Sequence, residues 1–355
     1  MIALPDYRPR TALRVPTHEV LRPRFPVIDA HNHLGTDFGG DWSARSATEL
    51  LATLDEAGVE ALVDLDGGFG DALSREVDRW QARASERLIV FAGLGYDGWA
   101  DDPDFGETEA RRLRDSADRG ARGLKVWKLL GLRARDPSGR LVAVDDERLD
   151  PLWSTAAELG LPVIIHIADP IAFFEPLDGA NERYEELTEN PDWHFWPTRP
   201  PGRSDVPGFP PFDELLAGFD RLVGRHPRTA FVGAHVGCAA EDLGLVSRML
   251  DAHPNLSVDI AARFGELGRQ PYTARALFLR HSGRILFGTD AAADPAVYRL
   301  HYRFLETWDE SFDYGTDEIP GQGRWQIHGL GLPDDVLRAV YRDNARRVLR
   351  LDPAP

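Results

Sequence analysis

The stretch "FPVIDAHNHLG", Phe25 to Gly35, sets two histidines, His31 and His33, just beyond a short apolar run. Val27, Ile28 and Ala30 make the run read as a β-strand, and residues two apart on a strand share a face. The histidines therefore point the same way at the strand's C-terminal end. Alone, the spacing is a weak signal, since such a pair is often coincidence or two hydrogen-bonded residues where a strand stops rather than a metal site. What the other strands bring decides between the two.

Seven further runs resemble the first: "VEALVDL" from Val59, "RLIVFAGL" from Arg87, "ARGLKVW" from Ala121, "LPVIIHI" from Leu161, "TAFVGAHV" from Thr229, "NLSVDIA" from Asn255 and "RILFGTD" from Arg284. Helix-period segments separate them. "SATELLATLDEAG" has Ser46 placed to cap it, Leu50, Leu51 and Leu54 on one face, and Gly58 to stop it. "ERLDPLWSTAAELG" and "DLGLVSRMLDAHP" repeat the scheme before strands five and seven. Eight strand–helix units predict an α/β fold, a single (β/α)₈ TIM barrel, where an open doubly wound sheet would usually have fewer strands. One domain is expected over residues 1–355, with the barrel at about 25–310.

Two connections are long. "LLGLRARDPSGRLVAVDDE" after strand four holds a "DPSGR" turn that suggests a short hairpin. The insertion 169–212 after strand five is rich in proline and aromatic residues, and long loops in compact barrels are usually functional. A C-terminal helical extension, 333–350, can turn Leu337, Val340, Tyr341, Ala345 and Val348 toward the barrel.

Lys and Arg number 41 against 58 Asp and Glu, a net charge of −17, which disfavours nucleic acid and anionic lipid as partners. No apolar run is long enough to span a bilayer, and the N-terminal stretch lacks the apolar segment of a signal peptide, so the expected location is cytoplasmic. Cys238 is the single cysteine, which rules out internal disulfides and Cys-based zinc clusters. Gly67 and Gly68 lack a following phosphate-binding pattern. Trp42, Trp80, Trp153 and Trp308 read as packing residues, and His18, His226, His253, His281, His301 and His328 as surface or structural ones.

Strand five ends in His166, strand six in His235 and strand eight in Asp290. A closed barrel brings the C-terminal ends of its strands to one rim, so these three can converge with His31 and His33. Imidazoles with one carboxylate suit a divalent ion such as Zn²⁺, and Mn²⁺ or Fe²⁺ could also be held.

In this ordered set the sequence resembles the amidohydrolase superfamily, in the branch of amidohydrolase-related hydrolases and aminocarboxymuconate-semialdehyde decarboxylase-like enzymes. The resemblance runs through "VIDAHNH", "GLKVWK", "VIIHIADP", "FVGAHVG" and "ILFGTDAA". It implies His31, His33, His166 and Asp290 as metal ligands, His235 as a proton-transfer residue with one metal or a ligand with two, and a homo-oligomer, a dimer. Lys125 lies where some members carry a carboxylated lysine bridging two metals; uncarboxylated, it can hold a substrate carboxylate or pair with an interior Asp. One metal is favoured, with a second only if Lys125 is carboxylated. Lys125 and Lys128 are three apart, so strand alternation turns at most one of them inward.

A metal-activated water needs a base, and Asp290, with His235 as the second candidate, fits that role by the resemblance. The expected activity is hydrolysis of a small carboxylate-bearing lactone, ester or amide. The alternatives are a non-oxidative decarboxylase or hydratase, and a barrel that binds metal and ligand without turnover. Arg133, Arg263 and Arg269 can bind a substrate carboxylate or merely neutralise neighbouring acids, and Glu266 can contact substrate or pair with one of them. Trp193 and Trp196 can wall the site from a lid formed by the insertion, or belong to a satellite core or a subunit contact.

Overall fold

A computed structural model describes residues 7, 12–35, 42–196, 208–315 and 321–351. Eight parallel strands alternate with helices: β1 Val27–Asn32, β2 Val59–Asp64, β3 Leu88–Val90, β4 Leu124–Val126, β5 Val163–Ile165, β6 Phe231–Gly233, β7 Leu256–Asp259 and β8 Ile285–Leu286. β1 to β3 pair in order, as do β4 to β8. Backbone bonds outside these strands carry the ladder over both seams. Ala92 N donates to Gly123 O and Lys125 N to Ala92 O on one side; Ala30 N donates to Phe287 O and Asp290 N to His31 O on the other. The chain thus folds as a (β/α)₈ barrel.

Strand alternation divides two layers of apolar side chains. Ile28, Ala30, Ala61, Val63, Ile89, Phe91, Ile164, Val232 and Leu286 fill the barrel interior, and their neighbours pack outward beneath the helices. Simple alternation from Ile28 and Ala30 would turn His31 outward. A bulge prevents this: Asp29 pairs with Leu62 and Asn32 with Asp64, so three steps on β1 match two on β2. The extra residue reverses the parity and aims His31 and His33 inward.

The helix Ala47–Ala57 has the predicted cap. Ser46 and Glu49 form a reciprocal capping box, and Gly58 closes the helix at φ 78°. The hairpin after β4 is present as an Arg135–Leu141 bridge. The C-terminal residues Asp334–Val348 form a helix with a π-helical turn at Ala339–Asp343. Tyr341 and Val340 are fully buried in the outer layer, and Ala345 and Val348 reach the interior cluster from the helix.

Several expectations need correction. The strands are shorter than the apolar runs; β6 stops at Gly233, and His235, Val236, Gly237 and Cys238 turn away with positive φ. Trp308 is 65% exposed and is no core residue, whereas Trp42, Trp80 and Trp153 are buried. Aromatics of the long connection pack on one another: Phe174 lies against Phe195 and Phe212, and Phe173 is stacked on Trp193. Residues 197–207 of that connection lie outside the described residues. No described helix is long and apolar enough to cross a membrane.

Candidate metal centre

His31, His235 and Asp290 each present a ligand atom within 4.8 Å of the others at the C-terminal rim. Asp290 is the hub. Its carboxylate lies 4.0 Å from His31 Nε2, 3.4 Å from His33 Nε2 and 3.8 Å from His235 Nε2. Backbone strain marks the same place. His235, Ala262 and Asp290 all have φ between 50° and 58°, conformations costly for residues with a side chain. Gly288 is needed beside them, because a Cβ there would sit 2.9 Å from that of His31.

Each of the three imidazoles has its other nitrogen tied to an acceptor. His31 Nδ1 lies 2.9 Å from Asp259 Oδ2, His33 Nδ1 2.7 Å from Asp66 Oδ1 and His235 Nδ1 2.8 Å from Ala261 O. A carbonyl or carboxylate can only accept, so Nδ1 carries the proton, and in a neutral ring this leaves the Nε2 lone pair on the Asp290 side. Burial holds His31 and His235 well below the ordinary histidine range, which keeps them neutral. Imidazoles with Nδ1 tied to an acceptor and a carboxylate in reach form a donor set suited to a divalent ion.

His166 is oriented differently. Its ring lies edge-on to His235 with centroids 4.3 Å apart, but Nε2 faces Ala168 O at 3.1 Å and Asp169 Oδ1 at 3.4 Å, leaving Nδ1 as the unprotonated nitrogen. Burial lowers its pKa to about 4. Lys125 is fully buried and donates from Nζ to His31 Nε2 at 3.1 Å, and burial depresses its pKa. Of the two lysines Lys125 is the fully buried one, whereas Lys128, two residues past the end of β4 at Val126, is half-buried at the rim and pairs with Asp169.

The candidate substrate contacts separate. Arg263 is buried and is among the charges acting on His235. Arg269 is instead taken up by Glu182, at 2.8 and 3.0 Å, and lies over Trp325. Arg133 is exposed and donates to Asp192 O within the long connection. Glu266 pairs with Arg183 rather than with any of these three. Trp193 lies with its ring 5.9 Å from Lys128 Nζ, and Trp196 lies beside His194.

Sequence reasoning missed Asp66, Asp259 and Trp127. Asp259 Oδ1 accepts from the backbone N–H groups of His235 and Ala261 while Oδ2 holds His31. Its signal was a carboxylate inside the apolar run "NLSVDIA"; that of Asp66 was an acid just beyond strand two, in "LVDLDGG". Trp127 packs 4.9 Å from His33 and gave no chemical signal.

No curated protein matches the chain by sequence. Among solved structures, 2,6-dihydroxybenzoate decarboxylase complexed with 2,6-dihydroxybenzoate is similar over 92% of this chain and 99% of its own, with 16% identity and a TM-score of 0.56. 5-Carboxyvanillate decarboxylase from Novosphingobium aromaticivorans, complexed with manganese and 4-hydroxy-3-methoxy-5-nitrobenzoic acid, aligns over 94% and 100% of the two chains at 13% identity and a TM-score of 0.53. An uncharacterized TIM-barrel protein from Bordetella bronchiseptica aligns over 92% and 99% at 14% identity and a TM-score of 0.54. At such identities the likeness speaks to the fold alone. The sequence model described as Amidohydrolase, however, matches residues 28–351, and the chain therefore belongs to the amidohydrolase family.

Proposed function

We propose that the protein is a metal-dependent hydrolase that opens a small, carboxylate-bearing lactone, ester or amide. The observation carrying this reading is the convergence of the His31, His33 and His235 Nε2 atoms on Asp290, each imidazole tied by an acceptor at Nδ1. His31, His33, His166 and Asp290 would hold one divalent ion, Zn²⁺ first and Mn²⁺ or Fe²⁺ as alternatives. When bound, such an ion acidifies water and polarises a carbonyl. Asp290, open to the mouth at 21% side-chain exposure, accepts the proton of the attacking water and returns it to the leaving group. His235 is the second candidate for that transfer. Lys125 contributes a buried amine beside His31, placed to hold a substrate carboxylate or, if carboxylated, a second ion.

Decarboxylation is the second reading. It is favoured by two structural neighbours that are decarboxylases, one of them holding manganese. The same residues would serve it, with Asp290 or His235 delivering a proton to carbon. Metal analysis of the purified protein should give about one to two equivalents of divalent ion. His31→Ala and His33→Ala should lose it, and Asp290→Asn should lose turnover. A screen of lactones, esters, amides and unsaturated or aromatic acids identifies the substrate, and carbon dioxide release separates the two chemistries. Undiminished turnover after exhaustive chelation would overturn both.

A further inference from the structure

A recess of about 520 Å³ opens beside the cluster, where the loops after β2, β3 and β4 meet. It shares two residues with the centre. Asp66 holds His33 through Nδ1, and Trp127 packs on the same imidazole. The indole thus stands at the border between His33 and the recess and forms one of its walls. Phe69 and Tyr96 form others, and the Tyr96 hydroxyl accepts from Trp127 N at 2.8 Å, which ties the Tyr96 ring to the backbone of Trp127.

Arg112, from the helix Phe105–Asp118, is the one cation among the described lining residues. Its guanidinium lies 4.4 Å over the Phe69 ring and pairs with the buried Glu109, which also accepts from Trp99 Nε1 and Gly95 N. A guanidinium carries five N–H groups, and Glu109 occupies only part of that fork. Gly95 makes the placement possible, because a Cβ there would fall 2.2 Å from Arg112 Nη1. The glycine at 95 in "GLGYDGW" therefore leaves room for the arginine side chain that lines the cavity. Asp66 already accepts from His33 and Gly35, and Asp97 is exposed, so among the described lining residues Arg112 is the group able to recognise an anion.

We infer that this recess receives the body of the substrate and that Arg112 is a specificity-determining residue, selecting molecules with a second anionic group on the far side of Trp127 from the histidine cluster. The inference rests on reading that cluster as the reaction centre. The probes are isophthalate and terephthalate, each with two carboxylates on one ring, and benzoate, with one. Titration calorimetry measures each against wild-type protein and Arg112→Gln, metal-free and manganese-loaded.

At least one diacid should bind wild type about tenfold or more tightly than benzoate. Arg112→Gln should erase that preference while metal content stays the same. Gly95→Ala gives a second route to the same loss, since its methyl displaces the guanidinium while the Glu109 carboxylate keeps its countercharge in the protein. The inference is overturned if wild type shows no diacid preference, if no probe binds, or if the preference survives in both variants. Probe affinity that ignores manganese but follows Arg112 would overturn the reading of the cluster and uphold the recess.

Discussion

Asp259 acts on two histidines at once, orienting the ring of His31 with one oxygen and the backbone of His235 with the other. Burial raises its pKa to about 6, so it is still ionised at neutral pH. Asp259→Asn keeps the shape and removes the charge that supports the Nδ1–H tautomer. Metal affinity should fall about 10–100-fold, read by competition with a chromophoric chelator, with the circular dichroism spectrum unchanged. A second residue sets a pH limit away from the centre. Burial lowers the His301 pKa to about 4, so the imidazole is neutral when folded but protonates below its ordinary 6.5 in the unfolded chain. The stability it contributes is complete above 6.5 and is lost as pH falls toward 4, by roughly 3 kcal/mol. His301→Leu should flatten that part of a plot of unfolding free energy against pH.

At the scale of elements, the seam between β1 and β8 carries the centre, because His31 lies at the end of one strand with His33 just beyond it, and Asp290 follows the other. Asp29 binds the two together from the outer side. It accepts from His31 N, Asn32 Nδ2, Thr289 N, Thr289 Oγ1 and Tyr298 Oη. Tyr298→Phe removes one donor from a buried carboxylate and should cost about 1–3 kcal/mol in urea denaturation. Strand positions and the Ser46 cap were legible because apolar runs and capping residues act locally. The bulge in β1 was not, since it exists only in the register against β2. The turn at His235 was equally hidden: "TAFVGAHV" reads as one strand, and its positive-φ residues include Val236, which has no local preference for that conformation.

For the whole molecule, the long connection after β5 is tied to the rim by a buried charge cluster. Arg183 is 1% exposed, donates to Glu186 at 2.7 Å and pairs with Glu266 on the helix Phe264–Arg269. Arg183→Met leaves Glu266 without its countercharge and should destabilise the protein by about 3–5 kcal/mol in chemical denaturation. Adding Glu266→Gln should recover part of that loss, and a purely additive pair would show that the two do not interact. Glu266 was expected beside substrate or one of three nearby arginines. Its partner is an arginine more than eighty residues away, supplied by the insertion.

The sequence by itself determined the barrel, through eight apolar runs alternating with helical ones, and it named the histidines and the aspartate at the strand ends. Periodicity and strand-end position are local properties, and a closed parallel barrel converts them into one rim. Only the tertiary structure decided how those residues face one another. It turned His31 inward through a bulge, directed His166 Nε2 to Ala168, brought Lys128 to the rim and gave Arg269 to Glu182. Those outcomes depend on register, on where each strand stops and on which charge reaches a buried partner first. Such relations are set between segments far apart in the chain, and for that reason "FPVIDAHNHLG" could place its two histidines on one face without saying which.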